Sequence, residues 1–487
     1  MALVVAPAAH AIDWRFGPYV NASSTYTDNV KQSSSNTQDA LIFTATPGFT
    51  LRSEGSRRVQ ASLQYGLTGV KRFGGDQSDN FYHNLNAVGK AELVQDFLFI
   101  DGSANISQQL ISLLGSPADA TTNNSNRTTV GTYSISPYIQ QRLGTFARAQ
   151  VRYTQSGALF QNNVANNINS NSINASLNSG TQFNELSWGL NYRLRDATVQ
   201  GGEDTQFEHY GASLGYRLSH TIRVFGTVGH DSNKYSAAPG AGVGGGSWTV
   251  GMGWAPNRRT SMNASFGESY FGRTYGFDFD YRTHYSVWTA SYNEGVSDIS
   301  QLLLNTEPIS YWICDQGLAL TMGTLPPPNG TSCLLIGSLP PGSTSVGFAN
   351  GIFISKTLRA GGAWSKGKSN FGVNVFDTRR QYQQLVGMPE DETRGVIATY
   401  SYRLQPHTTL NANLGYTNTL VPPGLGLGFA TTIARNDKLY TASIGVSHQF
   451  DPKLSSSLTL RHQQRDSNNS TSSFDENSLT ASVNMRF

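Results

Sequence analysis

Apolar and polar residues alternate along most of this chain in segments of about ten residues. Val59, Ala61, Leu63, Tyr65 and Leu67 alternate with Gln60, Ser62, Gln64, Gly66 and Thr68. The same holds for Leu186, Trp188, Leu190, Tyr192 and Leu194, for Tyr210 to Leu218, for Leu410 to Tyr416, and for Tyr440 to Phe450. Successive strand residues face opposite sides, so each segment carries one apolar and one polar face. A length of about 9–11 residues matches a tilted strand crossing the hydrocarbon layer.

Short turns lie at 54–56, 94–96, 219–221, 256–258, 405–407 and 451–453. Longer polar stretches lie between them, at 28–38, 72–80, 108–128, 156–171, 196–205, 231–245, 383–392, 417–436 and 464–476. Short turns at one rim and long loops at the other are the topology of a bacterial outer-membrane barrel. The expected fold is all-β: a single transmembrane antiparallel up-and-down barrel of about 22 strands (about 18–24), with both termini at the short-turn, periplasmic rim. Its weakest strands are those near 261–268 and 352–364. A β-propeller also repeats near forty residues, but its blades hold four short strands each, whereas this spacing holds two long ones.

The final segment reads Leu479-Thr-Ala481-Ser-Val483-Asn-Met485-Arg-Phe487. Val483, Met485 and Phe487 resemble the terminal signal read by the outer-membrane barrel assembly machinery. The longest connection, 294–351, holds Tyr311-Trp312, two Pro-rich stretches, Cys314 and Cys333. It either folds into the mouth as a constriction or caps the barrel from outside. The cysteine spacing is not that of a metal site, and in an oxidising envelope a Cys314–Cys333 disulfide is expected.

Composition agrees with a barrel. Of 487 residues, 14% are charged and 11% aromatic, against about 25% charged in soluble domains. The mean hydropathy is −0.34, and no apolar run of about 20 residues offers a spanning helix. With 35 basic and 32 acidic residues, nothing points to nucleic acid. Residues 1–11 end in Ala9-His10-Ala11, an A-x-A pattern read as a signal-peptide remnant; residues 12–487 form the barrel domain. The first strand starts near Trp14, which leaves no room for the plug of a TonB-dependent transporter, so a barrel without a plug is expected.

No H-E-x-x-H, G-x-S-x-G, CxxC or P-loop is present, so neither an enzyme nor a cofactor or metal site is expected. A barrel this wide must hold water or an inserted loop. Phasing the strands by their apolar faces turns Arg58, Lys90, Glu92, Asp101, Arg148, Arg152, Arg193, Arg217, Arg223, Asp278, Asp280, Asp377 and Arg403 into the lumen, among many Ser, Asn, Gln and Thr. Both signs of charge occur, which does not indicate a strongly ion-selective pore, and an amide- and hydroxyl-rich wall suits a hydrated polysaccharide.

Several stretches resemble one family: Tyr26-Thr-Asp28-Asn29-Val30, Pro47-Gly48-Phe49-Thr-Leu51-Arg52, Leu93-Val-Gln-Asp96-Phe97-Leu98-Phe-Ile100-Asp101, and Trp288-Thr-Ala-Ser291-Tyr292. Together they are similar to the PEP-CTERM system-associated outer-membrane β-barrel proteins, found with exosortase and exopolysaccharide loci and related to EpsL-like barrels. The resemblance implies a channel or scaffold for exopolysaccharide export, with outer-membrane lipid, polysaccharide and periplasmic export components as partners; it carries no site residues. A general or substrate-selective porin and a structural or adhesive surface barrel remain the alternatives.

Overall fold

The computed structural model describes residues 12–75, 78–117, 122, 125–161, 165–305, 309–314, 317–322, 333–339, 351–423 and 433–487. Residues 1–11, read above as a signal-peptide remnant, and much of the long connection lie outside the described residues.

One antiparallel sheet of 22 strands closes on itself. The first strand, Asp13–Thr27, pairs with Ala40–Glu54 on one side and with the last strand, Phe474–Arg486, on the other. The Phe487 N–H donates to the Pro18 carbonyl at 3.0 Å, at the end of that seam. Strands run 10–17 residues, longer than the apolar pattern alone marks, because they continue beyond the lipid on the loop side. The two weakest strands are real, at Thr260–Ser269 and Ile352–Lys366. The polar stretches shrink to tighter connections; between Ser269 and Gly272 only Tyr270 and Phe271 form the loop.

The faces follow the alternation. On Thr408–Val421, Leu414 is 62% exposed on the outside, while the preceding Asn413 bonds across the lumen wall to Ser443. Outward aromatics gather near both rims. Trp248, Phe266 and Tyr275 form one row with centroids 5.7 and 5.6 Å apart, and Tyr416–Tyr440 (5.2 Å) another, nearer the loops. Phe146, Phe183 and Trp188 cluster at the turn rim. Such girdles mark the two membrane interfaces. Inside the wall, Gly48 has no room for a side chain because the Tyr19 ring lies against it.

Beyond Ser286–Asp298 come a short helix, Ile299–Asn305, and a three-stranded sheet of Ile309–Cys314, Gly317–Met322 and Cys333–Leu339. Its register sets Cys314 opposite Cys333.

Two outcomes follow. Leu414→Arg, on the lipid face just inside the Tyr416 girdle, destabilises the folded barrel by about 1–2 kcal/mol; Asn413→Arg, on the lumen face, costs far less. Denaturant titration in lipid vesicles measures both. Thiol labelling of the unfolded, unreduced protein should also fail at Cys314 and Cys333 and succeed after reduction.

Candidate functional site in the barrel lumen

The lumen wall changes character from one rim to the other. Toward the loops many inward side chains are buried; toward the turns several charged ones are open to solvent, while Val287, Ala363, Asn370 and Ser401 are buried there. Buried inward groups include Thr27, Ile42, Val130, Ala158, Arg195, Arg380, Asp437 and Glu476. Lys90, Arg148, Arg193, Arg217, Arg223 and Arg403 are exposed. The mouth is therefore packed, and the turn side of the lumen is wet.

Segments that fold inward from the loop rim do the packing. Asp298 ends its strand, and Arg195 points inward from Leu186–Val199. Six strand spacings, about 29 Å of sheet, separate these two strands, yet the two side chains form a buried ion pair. Arg195 also donates to Ser300 Oγ at 2.8 Å. Asp298 Oδ1 accepts from the Ser300 N–H (2.9 Å), the Ser300 hydroxyl (2.6 Å) and the Gln301 N–H (3.0 Å). One carboxylate thus caps the helix Ile299–Asn305 and holds it across the mouth. Ile299 then packs against Val130, Ala158, Ile168 and Ala197 on the facing wall.

Asp298 lies six residues, about 20 Å of strand, beyond Tyr292, the partner of Phe277 next to the girdle residue Tyr275, and so above the lipid. Burial pushes its carboxyl up, but the Arg195 charge and the hydrogen bonds from Arg195, Ser300 and Gln301 outweigh that and hold it below the usual carboxylate range. A lowered carboxyl contributes stability above its ordinary pKa and loses it as pH falls through the lowered one. The clasp therefore survives mild acid.

Other crossings reinforce it. Arg465 Nη1 donates to the Gly115 carbonyl at 2.6 Å, again six strands away. Ser116 Oγ donates to Gln32 (2.6 Å), which donates to Glu476 (2.7 Å). The Ala238 N–H donates to the Gln383 carbonyl at 2.8 Å. Within the wall itself, Arg380 grips its cross-strand partner Asp391 with two bonds, 2.9 and 2.6 Å, and Tyr382 adds a third at 2.8 Å. Truncating one member of such a buried pair leaves the other charged and unpaired.

Below the mouth much of the wall is neutral and polar. Hydroxyls meet across strands at Ser23–Thr44 (2.6 Å), Thr25–Thr480 (2.9 Å), Thr46–Thr68 (2.8 Å) and Ser457–Ser482 (2.7 Å). Asn370 donates to Ser401 at 3.1 Å.

Of the charged residues expected in the lumen, Lys90, Glu92, Asp101, Arg148, Arg152, Arg193, Arg217, Arg223, Asp278, Asp280 and Arg403 occupy inward positions of their strands. Asp101 and Arg152 meet at 2.8 Å, and Arg193 donates to Asn174 at 3.1 Å. Arg58 sits in a turn at the rim and donates to Gln95 at 3.3 Å. Asp377 is a correction: it lies on the outer face, in phase with Phe371 and Val375, and pairs with Arg379 at 3.2 Å. A polar residue need not point inward once its strand has left the lipid. Nothing in the alternation marks Arg195, Asp298, Arg380 or Asp391 as partners; only Asp298 before Ile-Ser-Gln and a leucine run carries a local signal, that of a helix cap. Among the described residues, no group of three His, Cys, Asp or Glu converges as a metal site.

The comparisons bear on this architecture. Residues 393–487 match the family model described as "Putative beta-barrel porin 2". No curated protein matches the sequence. Among solved structures, the FrpB iron transporter from Neisseria meningitidis is similar, with a TM-score of 0.52 at 13% identity, over 97% of this chain and 81% of that one. A mutant ferric enterobactin receptor from Pseudomonas aeruginosa in complex with enterobactin gives 0.51 at 8% identity, over 97% and 81%. These likenesses concern the fold, and they overturn the expectation of a plug-less barrel apart from the TonB-dependent transporters. The barrels it resembles are those of plug-bearing receptors, so strand number and closure do not set it apart from that class. The chain is an outer-membrane β-barrel of porin-like build.

Proposed function

We propose that the barrel is a channel for export of a hydrated exopolysaccharide, with the short turns and both termini in the periplasm and the packed mouth at the cell surface. The wall of paired hydroxyls and amides carries this reading. A sugar polymer needs many weak, interchangeable hydrogen bonds along its path, and Ser23–Thr44, Thr25–Thr480 and Ser457–Ser482 offer them without a fixed charge. The family resemblance supports the substrate class. No catalytic role is proposed for the chain. The Arg195–Asp298 clasp makes the resting channel closed, and a passing chain or a periplasmic partner displaces it.

Planar-bilayer recording and gene deletion test this together. The wild-type barrel should conduct rarely. Arg195→Ala, which unpairs Asp298, should raise the open fraction at least ~tenfold, the equivalent of about 1.4 kcal/mol. Deletion should abolish secreted polysaccharide. Conductance with normal secretion would make the protein a small-solute porin, and no conductance in either form would end the channel reading.

A further inference from the structure

Resting on the channel reading, the charges of the lower lumen point to the kind of polymer. Six neighbouring strands, from Arg127–Leu143 to Ile222–Lys234, turn Arg142, Arg148, Arg152, Arg193, Arg217 and Arg223 inward. All but Arg152 are exposed to the lumen. Arg152 pairs with Asp101; Arg142, Arg148, Arg217 and Arg223 form no ion pair with a described residue. The inward acids of this sector, Asp101 and Asp231, are taken by Arg152 and His209, and Asp278 and Asp280 stand apart on the strand Gly272–Arg282. The four arginines are thus left with no carboxylate paired to them among the described residues.

The register makes the arrangement costly. Arg142 lies directly opposite Arg148, and Arg217 directly opposite Arg223. Like charges facing each other across strands repel. Two such pairs on one wall of a water-filled lumen have a physical use if an anion lies between the guanidinium groups, whose planar forks bind carboxylates with two parallel hydrogen bonds.

Beside them are aromatic faces that a purely aqueous lining does not call for. Phe99 is an apolar exception among the inward residues Asp101, Ser103, Asn105 and Ser107 of its strand. It stacks on Tyr138 with centroids 5.0 Å apart and planes 15° from parallel. The Arg152 guanidinium covers the Tyr138 ring at 3.8 Å, and Arg223 lies 5.6 Å from Phe225. Phe99, Tyr138, Arg152, Asn174 and Arg193 are successive partners across adjacent strands, in a row that climbs from the turn rim into the lumen.

We infer that this wall is a binding lane for a carboxylate-bearing polysaccharide: the exposed arginines take the acid groups, and the Phe99–Tyr138 stack under Arg152 gives the lane a firm floor at its entrance. The lane begins at the turn rim, where a polymer leaving the periplasm enters.

Isothermal titration of the full chain in detergent micelles tests it, with a linear oligogalacturonide as acidic probe and maltohexaose as neutral probe. The oligogalacturonide should bind more tightly, and its affinity should fall as salt rises, because exposed charges are screened. The quadruple variant Arg142→Gln, Arg148→Gln, Arg217→Gln, Arg223→Gln should lose at least ~tenfold in that affinity and leave maltohexaose unchanged. The corresponding Arg→Lys variant should keep the salt dependence but bind less tightly. Heat-shifted gel mobility reports folding, and the pair Arg217→Gln, Arg223→Gln replaces the quadruple variant if that fails to fold. Equal affinity for the two sugars, or no loss in the Gln variant, overturns the lane. Lane binding with unaffected polysaccharide secretion would instead overturn the export reading.

Discussion

Inside a hydrocarbon layer an unpaired backbone N–H or C=O costs several kcal/mol, and no water is present to take its place. A sheet can cross only if it has no edge. The pairing of Asp13–Thr27 with Phe474–Arg486 meets that constraint, joining residues more than 450 positions apart. Closure then dictates the alternation. Every second side chain must suit lipid, as Leu414, Val483 and Met485 do, and the others face an interior too wide for side chains to fill. The polar lumen and its wet turn side follow from that geometry; the packing at the loop rim is added by segments that fold inward, such as the helix Ile299–Asn305.

Much of this was legible in the sequence, because lipid imposes a strict rule on each residue it touches. The terminal run to Phe487 and the strands around Leu190, Leu214 and Ile444 carry the rule openly. Above the lipid the rule lapses. Asp377 and Arg379 continue the outward phase of Phe371 and Val375 where polar groups are welcome outside, so polarity no longer reports direction. The mouth was least legible. Arg195 and Asp298 are 103 residues apart in sequence and six strands apart in the sheet, and no local pattern couples them. The barrel itself also proved less distinctive than its first strand suggested, since plug-bearing receptors share its form.

Two kinds of wall then divide the interior. Around the seam, the Ser and Thr pairs offer weak contacts that a moving chain exchanges at little cost. Across from them, arginines and aromatic rings concentrate charge and stacking faces on the turn side. Net charge hid this, because 35 basic and 32 acidic residues nearly cancel while their positions do not. The clasp at Asp298 stands between this lining and the loop rim, and it uses one carboxylate for two tasks, a helix cap and an ion pair.

The central claim is a closed sheet with lipid on one face and water on the other. Single cysteines along Thr408–Val421, introduced where Cys314 and Cys333 are replaced by serine, probe it in open outer-membrane fragments, where the reagent reaches the lumen from the turn rim. A membrane-impermeant thiol reagent should label positions 409, 411, 413 and 415 and spare 410, 412, 414 and 416. Labelling without alternation, or protection of both sets, would contradict the account.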